Sequence, residues 1–384
     1  MDTQAAGFDP FALTPGPVEL TAVLGRHLIG LGIGGRPGAL APPAVVLCGS
    51  YRRDLPGLHA AWSAIRDAGA LIVSPAGLDF VGERDGFVYS AEQEGTTDAE
   101  LEAAHLAAIG AADLVWLHDP EGYVGASASL ELGFAAASQT PVYAATRPAE
   151  PVYTPFVRVV AGPRQALADV LARAAAAVLA PGHRATYDAL APAYDARTGA
   201  LRPVTQAVVD ALTAVVRPGG RVLDVGCGAG LAVQLLTDAG LDASGIELAP
   251  AMAAVAAARN PAATIMVGDV MDTAIDGGYD AVLALAFVHL FPKAALPGVL
   301  YRLAGLLAPG GHLYLGSTDS PQPCEGFEAK ADYPGAPARY RAHWGADELA
   351  AVITAAGLNI LDRAEHMDCY GKRWIDFTAT VRAV

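Results

Sequence analysis

Two stretches of this sequence place reactive residue types at spacings that can do chemistry. The first is Val222 to Gly230, where Asp224, Gly226, Gly228 and Gly230 fall on alternate positions. Val222-Leu223-Asp224-Val225 reads as a buried parallel strand that runs into a glycine turn. Glu247 follows about twenty residues on, the interval at which an acid meets a ribose in nucleotide folds. It ends the next strand-like run, Ala243 to Ile246. A glycine turn lets backbone approach a bound nucleoside, and an acid one strand later accepts hydrogen bonds from the ribose diol. The pair points to an adenosine-containing cofactor in the second half of the chain. The second stretch is Gly122 to Ala135, where Ser127 and Ser129 precede Glu131 in a Glu-Leu-Gly-aromatic-Ala run.

The elements that must position these residues read as α/β throughout. From Ala44, short apolar strands alternate with helices: 45–48, 71–73, 114–117 and 142–144 as strands, 58–68, 98–109 and 130–137 as helices. A long polar loop is expected over 82–95. Such alternation predicts a parallel sheet covered on both faces. Residues 164–179 predict an alanine-rich helix, broken at Pro181-Gly182-His183. The alternation then restarts: strands at 222–225, 243–246, 264–267, 280–286 and 312–316, helices at 231–239, 250–258 and 294–307. A helix at 346–356 precedes strand-like runs near 358–364 and 374–382. The organisation expected is an extension over 1–40, one doubly wound Rossmann-like domain over 41–180 and a second over 184–384.

Bulk properties narrow the function classes. The chain has 384 residues, enough for two ordinary domains, and 53% are apolar. Its formal net charge is −15, which repels phosphate backbones and argues against broad nucleic-acid binding. Cys48, Cys227, Cys324 and Cys369 form no CxxC pair and read as reduced thiols of a cytosolic protein, with no metal site expected. No basic leader and no apolar run of membrane-spanning length is evident, so a cytoplasmic protein without a membrane partner is expected.

The second half resembles the class I S-adenosylmethionine-dependent methyltransferases. The resemblance rests on Asp224-x-Gly226-x-Gly228-x-Gly230, Glu247, Gly268-Asp269 and Leu307-Ala308-Pro309-Gly310-Gly311, with Tyr187-Asp188 and Tyr194-Asp195 upstream resembling the family's lid helix. It implies S-adenosylmethionine as cofactor. Glu247 would hold the ribose, Asp269 the adenine amino group and Asp224 the methionine end. The glycines would allow close approach, and Tyr187 and Tyr194 would cover the site. His289, past the fourth strand, is the titratable candidate for a base; a packed structural histidine is the competing reading. No Asn/Asp-Pro-Pro-aromatic motif follows that strand, against methylation of nucleic-acid bases of the kind that motif serves. Lys330, Arg339 and Arg341 lie among Tyr333, Tyr340 and Trp344 and suggest a small anionic or planar substrate; a solvated lid with ordinary ion pairs is the other reading.

The first half resembles the nucleoside 2-deoxyribosyltransferase superfamily, which includes deoxynucleotide N-glycosidases. The matching residues are Cys48-Gly49-Ser50-Tyr51, Asp113 to Trp116, Gly122 to Ala135 and Thr140 to Tyr143. The resemblance makes Glu131 the nucleophile at the anomeric carbon. Gly49, Ser50 and Tyr51 would line the opposite wall, Asp119 would bind base or sugar, and Ser127 and Ser129 would hold a 5′ group. His105 stands where the family often has an aspartate. The family commonly completes its sites across subunits, which implies a homo-oligomer. The whole then reads as a bifunctional enzyme acting on a small, nucleoside-related molecule. Its alternative is a methyltransferase with a non-catalytic nucleotide sensor at its N-terminus.

Overall fold

The structure is a computed structural model that describes residues 42–49, 51–84, 87–330, 332–333 and 336–382. The extension expected over 1–40 and the candidate Ser50 lie outside the described residues. The chain divides into two compact units, residues 1–170 and 171–384.

In the first unit the alternating apolar runs become β1 (Ala44–Gly49), α1 (Leu55–Asp67), β2 (Leu71–Ser74), β3 (Phe80–Arg84), β4 (Phe87–Ser90), α2 (Asp98–Ala111), β5 (Leu114–His118), α3 (Ala126–Ala137), β6 (Val142–Ala144) and β7 (Val157–Val159). Five strands form a parallel sheet in the order β2-β1-β5-β6-β7. Val45, Leu47 and Trp116 pack on one face, and Val46, Val115 and Leu117 on the other, so the strands are apolar on both sides. The chain leaves β1 toward β2 and later returns to β5 on the opposite side. The crevice at that reversal, outside the carboxyl ends of β1 and β5, is where open α/β sheets bind ligands.

The second unit comprises most of α4 (Pro163–Thr198), α5 (Arg202–Thr213), β8 (Arg221–Val225), α6 (Leu231–Asp238), β9 (Asp242–Glu247), α7 (Pro250–Arg259), β10 (Thr264–Val267), β11 (Tyr279–Leu285), α8 (Leu296–Ala304), β12 (Leu307–Thr318), β13 (Cys324–Ala329), β14 (Ala338–His343), α9 (Ala346–Ala355), β15 (Leu358–Met367) and β16 (Arg373–Val381). Its seven-stranded sheet has the order β10-β9-β8-β11-β12-β16-β15. The first five are parallel, and β16 enters antiparallel to β12. Leu223, Val282 and Leu313 face α8 and α9 in one core layer; Val222, Leu283 and Tyr314 face α5 and α6 in the other. The reversal here lies between β8 and β11. No helix among the described residues is long and apolar enough to cross a membrane.

Three local expectations fail. The loop expected over 82–95 contains most of a hairpin, the end of β3 and all of β4, with Phe80 opposite Ser90 and Glu83 opposite Val88. Its apolar residues are too sparse for a period to register. The three-residue β7 is missed because a run so short carries no readable alternation. The helix break expected at Pro181 does not occur, because α4 continues to Thr198. Proline removes one helical bond, the one to the Ala177 carbonyl, and that residue is half-exposed, so water can replace it.

Candidate active sites

The glycine turn after β8 owes its shape to Gly226, Gly228 and Gly230, with φ of 68°, 55° and 74°. Their roles differ. A Cβ on Gly226 would sit 2.9 Å from the Phe287 ring, on the wall of an open cleft. A Cβ on Gly230 would meet Asn260 Nδ2 at 2.5 Å and Ala256 at 2.9 Å. Gly230 therefore lets α7 pack close, and it lines neither cleft described below. Glu247, at the end of β9, turns back into the glycine turn. Its Oε2 accepts the Gly228 N–H at 2.9 Å and its Oε1 accepts the Ala249 N–H at 2.9 Å. Burial raises its pKa, and these backbone donors oppose the rise.

Around the turn lies a cleft of about 790 Å³ lined by Tyr187, Tyr194, Gly226, Gly228, Glu247, Asp269 and Phe287. Asp269 Oδ1 accepts the Met271 N–H at 2.9 Å, which aims the loop after β10. Tyr187 and Tyr194 meet edge to face, their centroids 6.0 Å apart. The structure thus brings six sequence-predicted residues onto one cleft at the carboxyl edge of the sheet.

A second cleft, about 810 Å³, shares Tyr194, Gly226 and Gly228 with the first and adds Asp224, His366, Asp368, Trp374 and Asp376. Burial, and then the charge of Glu247, lifts Asp224 to about 8. His366 Nδ1 lies 3.3 Å from Asp376 Oδ2, which also accepts the Tyr314 hydroxyl at 2.9 Å. The His366 ring stacks on Trp374 at 6.3 Å, and its Nε2 has no hydrogen-bond partner among the described residues. Sequence reading missed this pair. His366 and Asp376 sit on different antiparallel strands, and no motif marks them. His289, the base expected from sequence, is 4% exposed and lines neither cleft. Burial pushes it well below the usual histidine range, helped by Arg341, Arg339 and Lys330.

The segment expected to read an anion is the two-stranded arm β13–β14 and its approach. Arg339 is 2% exposed, and its Nε donates to Tyr187 Oη at 3.3 Å. Lys330 Nζ stands 5.8 Å from the Tyr194 ring centre.

The first unit gathers a different set. Gly49, at the β1–β5 reversal, has φ 112°, and a Cβ there would lie 2.2 Å from the His118 carbonyl oxygen. Glu131, on α3, is 7% exposed. Its Oε1 accepts the Ser127 hydroxyl at 3.0 Å, while Oε2 has no partner among the described residues. Ser127 also reaches Glu102 at 3.1 Å. His105 Nε2 lies 3.4 Å from Cys48 Sγ and 3.9 Å from Glu131, and Nδ1 lies 2.6 Å from Ser74 Oγ. Cys48, His105 and Glu131 each offer one metal-ligand atom within 4.8 Å of the others. Burial lifts Glu131 to about 7; it drops His105 to about 4, leaving that ring neutral. Asp119, at the end of β5, also rises to about 7 by burial. Tyr51 donates to the Leu47 carbonyl at 2.5 Å. Ser127 and Ser129, the residues expected to hold a 5′ group, both have protein partners. Ser127 serves two carboxylates, which repel a phosphate, and Ser129 is held by the Gly125 carbonyl and Tyr153, both at 2.8 Å.

Comparison with known proteins finds relatives of the second unit. Residues 222–311 match the family described as "Methyltransferase domain". A ubiquinone biosynthesis O-methyltransferase of Xanthomonas campestris pv. campestris (strain B100) is 35% identical over 107 residues, 26% of this chain and 44% of its own. The chain thus spans less than half the length of that relative. The enzyme of the same name from Xanthomonas axonopodis pv. citri (strain 306) is 31% identical over 167 residues, 40% of this chain and 69% of its own. Among solved structures, the DhpI–SAH complex is 19% identical, with a TM-score of 0.46, over 54% of this chain and 98% of that one.

Proposed function

Because the chain belongs to the class I S-adenosylmethionine-dependent methyltransferases, we propose that it methylates a small molecule held beside the glycine turn of its second unit. One observation carries this reading: Glu247 lies at the carboxyl edge of the sheet, tied to the Gly228 amide. A carboxylate so oriented retains lone pairs for the two ribose hydroxyls. Asp269 is set to accept from the adenine amino group, and Asp224 to meet the methionine ammonium. A bound sulfonium supplies an activated methyl group. The chain's own part is to align an acceptor lone pair and exclude water, which Tyr187, Tyr194 and Phe287 do from the walls of the first cleft. An acceptor that loses a proton on methylation gives it to His366 Nε2, whose ring Asp376 orients through Nδ1. No step is assigned to His289. Calorimetry with S-adenosylhomocysteine tests the reading: binding to wild type, and its loss in Glu247→Ala, are expected. Unchanged affinity in that variant refutes it.

For the first unit we infer N-glycosidic cleavage of a nucleoside or nucleotide, making the chain bifunctional. The supporting observation is the buried Glu131 at the carboxyl ends of β1 and β5, its Oε2 without a hydrogen-bond partner among the described residues. The ionised carboxylate attacks the anomeric carbon and forms a glycosyl ester. The base leaves with the C–N bonding pair and takes a proton from Asp119, and water then breaks the ester. A panel of deoxynucleosides and their 5′-monophosphates tests it, with base release followed by chromatography. Release by wild type and none by Glu131→Gln is expected. A nucleotide that binds but is never cleaved favours the sensor reading instead.

A further inference from the structure

The arm β13–β14 buries more positive charge than its own acids neutralise. Arg339 and Arg341 occupy alternate positions of β14 and so share a face. Arg339 Nη1 and Arg341 Nε are buried and have no hydrogen-bond partner among the described residues. The acid nearest both is Glu328, directly across the arm from Arg339. It stays 3.8 Å from Arg339 and 3.6 Å from Arg341, and its other oxygen is taken by His343 Nε2 at 2.8 Å. Among the described residues Lys330 pairs with the carboxylate of Asp332, at 3.7 Å, and Asp332 is shared with Lys372 and Arg197. Among the described residues, Glu328 and Asp332 thus make the ion pairs of Arg197, Lys330, Arg339, Arg341 and Lys372.

Such an arrangement is costly unless something completes it. A buried guanidinium with an idle N–H loses its hydration and gets no bond in return. Its planar fork of donors matches the two oxygens of a carboxylate or phosphate. The crowding is felt by neighbouring groups: burial, and then Arg339, brings Lys330 down to about 7, and all three cations depress His289. The cluster also borders the first cleft. Arg339 donates to Tyr187, Lys330 stands over Tyr194, and both tyrosines line that cleft.

We propose that Lys330, Arg339 and Arg341 bind an acid group, carboxylate or phosphate, carried by the methyl acceptor. The proposal rests on the methyltransferase reading for the word acceptor, but not for the anion site. The acid exchanges for the long Glu328 contacts and takes up Arg339 Nη1 and Arg341 Nε, while the aromatic walls of Tyr187 and Tyr194 lie between this anchor and the glycine turn. In a chain of net charge −15, a local cationic cluster selects small anions without making the surface attractive to nucleic acid.

The experiment is calorimetric titration of the full chain with benzoate and with phenyl phosphate, using benzyl alcohol as the uncharged control. Each is run with and without saturating S-adenosylhomocysteine. Binding of either anion but not of benzyl alcohol is expected, and the anion that binds names the acid. Arg339→Gln should weaken that binding on the order of tenfold to a hundredfold, the range for a charge-assisted hydrogen bond. Glu328→Gln removes the internal competitor and should tighten it, a gain that a misfolded variant cannot mimic. Absence of binding by both anions overturns the proposal, as does binding unchanged in Arg339→Gln or weakened in Glu328→Gln. Failure of S-adenosylhomocysteine to bind refutes the donor reading separately, since the anion titrations are also run without it.

Discussion

Glu247 and Gly228 are joined by one hydrogen bond, carboxylate oxygen to backbone amide, at 2.9 Å. Through it the end of β9 sets the shape of the turn after β8. The partner is a main-chain donor with a φ of 55°, so the bond ties side-chain identity to a backbone conformation that favours glycine. Asp224, buried on the other side of that turn, feels the charge of Glu247. The proposed donor site is therefore a coupled set of acids and amides.

Glu247→Ala leaves the Gly228 and Ala249 amides without their acceptor. The expected stability loss is about 1–3 kcal/mol, the cost of orphaned buried donors, read by urea unfolding. Affinity for S-adenosylhomocysteine should fall on the order of tenfold or more in the same protein.

Donor binding should depend on pH through Asp224. Its folded pKa is about 8, against an ordinary 3.8, because burial and Glu247 disfavour its charged form. An ammonium partner needs that carboxylate ionised, so affinity for S-adenosylhomocysteine should rise between pH 6.5 and 9, a window chosen around that pKa. The sign is opposite for folding without ligand. A raised acid pKa contributes stability that is full below about 4 and lost as pH climbs through about 8. Asp224→Asn should flatten both profiles, measured by calorimetry and by thermal unfolding across the range.

His366→Gln should slow methyl transfer by about 10² to 10⁴ for an acceptor that must lose a proton. Affinity for S-adenosylhomocysteine should be unchanged. Single-turnover transfer of labelled methyl, beside equilibrium donor binding, separates the two. Equal transfer rates in variant and wild type refute the assignment of His366.

Base release by the first unit should peak near pH 7 and fall on either side, because Asp119, at about 7, donates only when protonated and Glu131, also at about 7, attacks only when ionised. Burial holds its pKa there; Glu102 pushes it up, while Cys48 and Ser127 pull it down. Glu102→Gln removes a like charge and should move the acid-side limb lower, which a pH–rate profile reads directly. Glu131→Gln should retain ligand and release no base.

Local pattern made much of this legible. Apolar runs between glycine and proline signals marked the strands, because a parallel strand buries both faces. The positions of Asp224, Glu247 and Asp269 at strand ends follow from that counting, since a strand end in an open α/β sheet is a crevice wall. Contacts between distant segments were not legible. His366 meets Asp376 only through the antiparallel pairing of β15 with β16, where His366 stands opposite Trp374. His289 looked like a cleft residue because it follows β11 closely, yet the short turn after Phe287 carries it into the interior.

Residue type and spacing alone determined that this chain folds into α/β sheets and that its second half holds a glycine turn with an acid one strand away. Both follow from backbone geometry over a few residues: glycine's access to positive φ, and the alternation of buried strands with helices. Tertiary structure alone decided which hydroxyls are spent on protein partners, which histidines reach a cleft, and that the arginines of the arm lie buried with donors idle. Burial and hydrogen-bond satisfaction are properties of packed neighbours, often more than a hundred residues apart, as Arg339 and Tyr187 are. No local pattern encodes them.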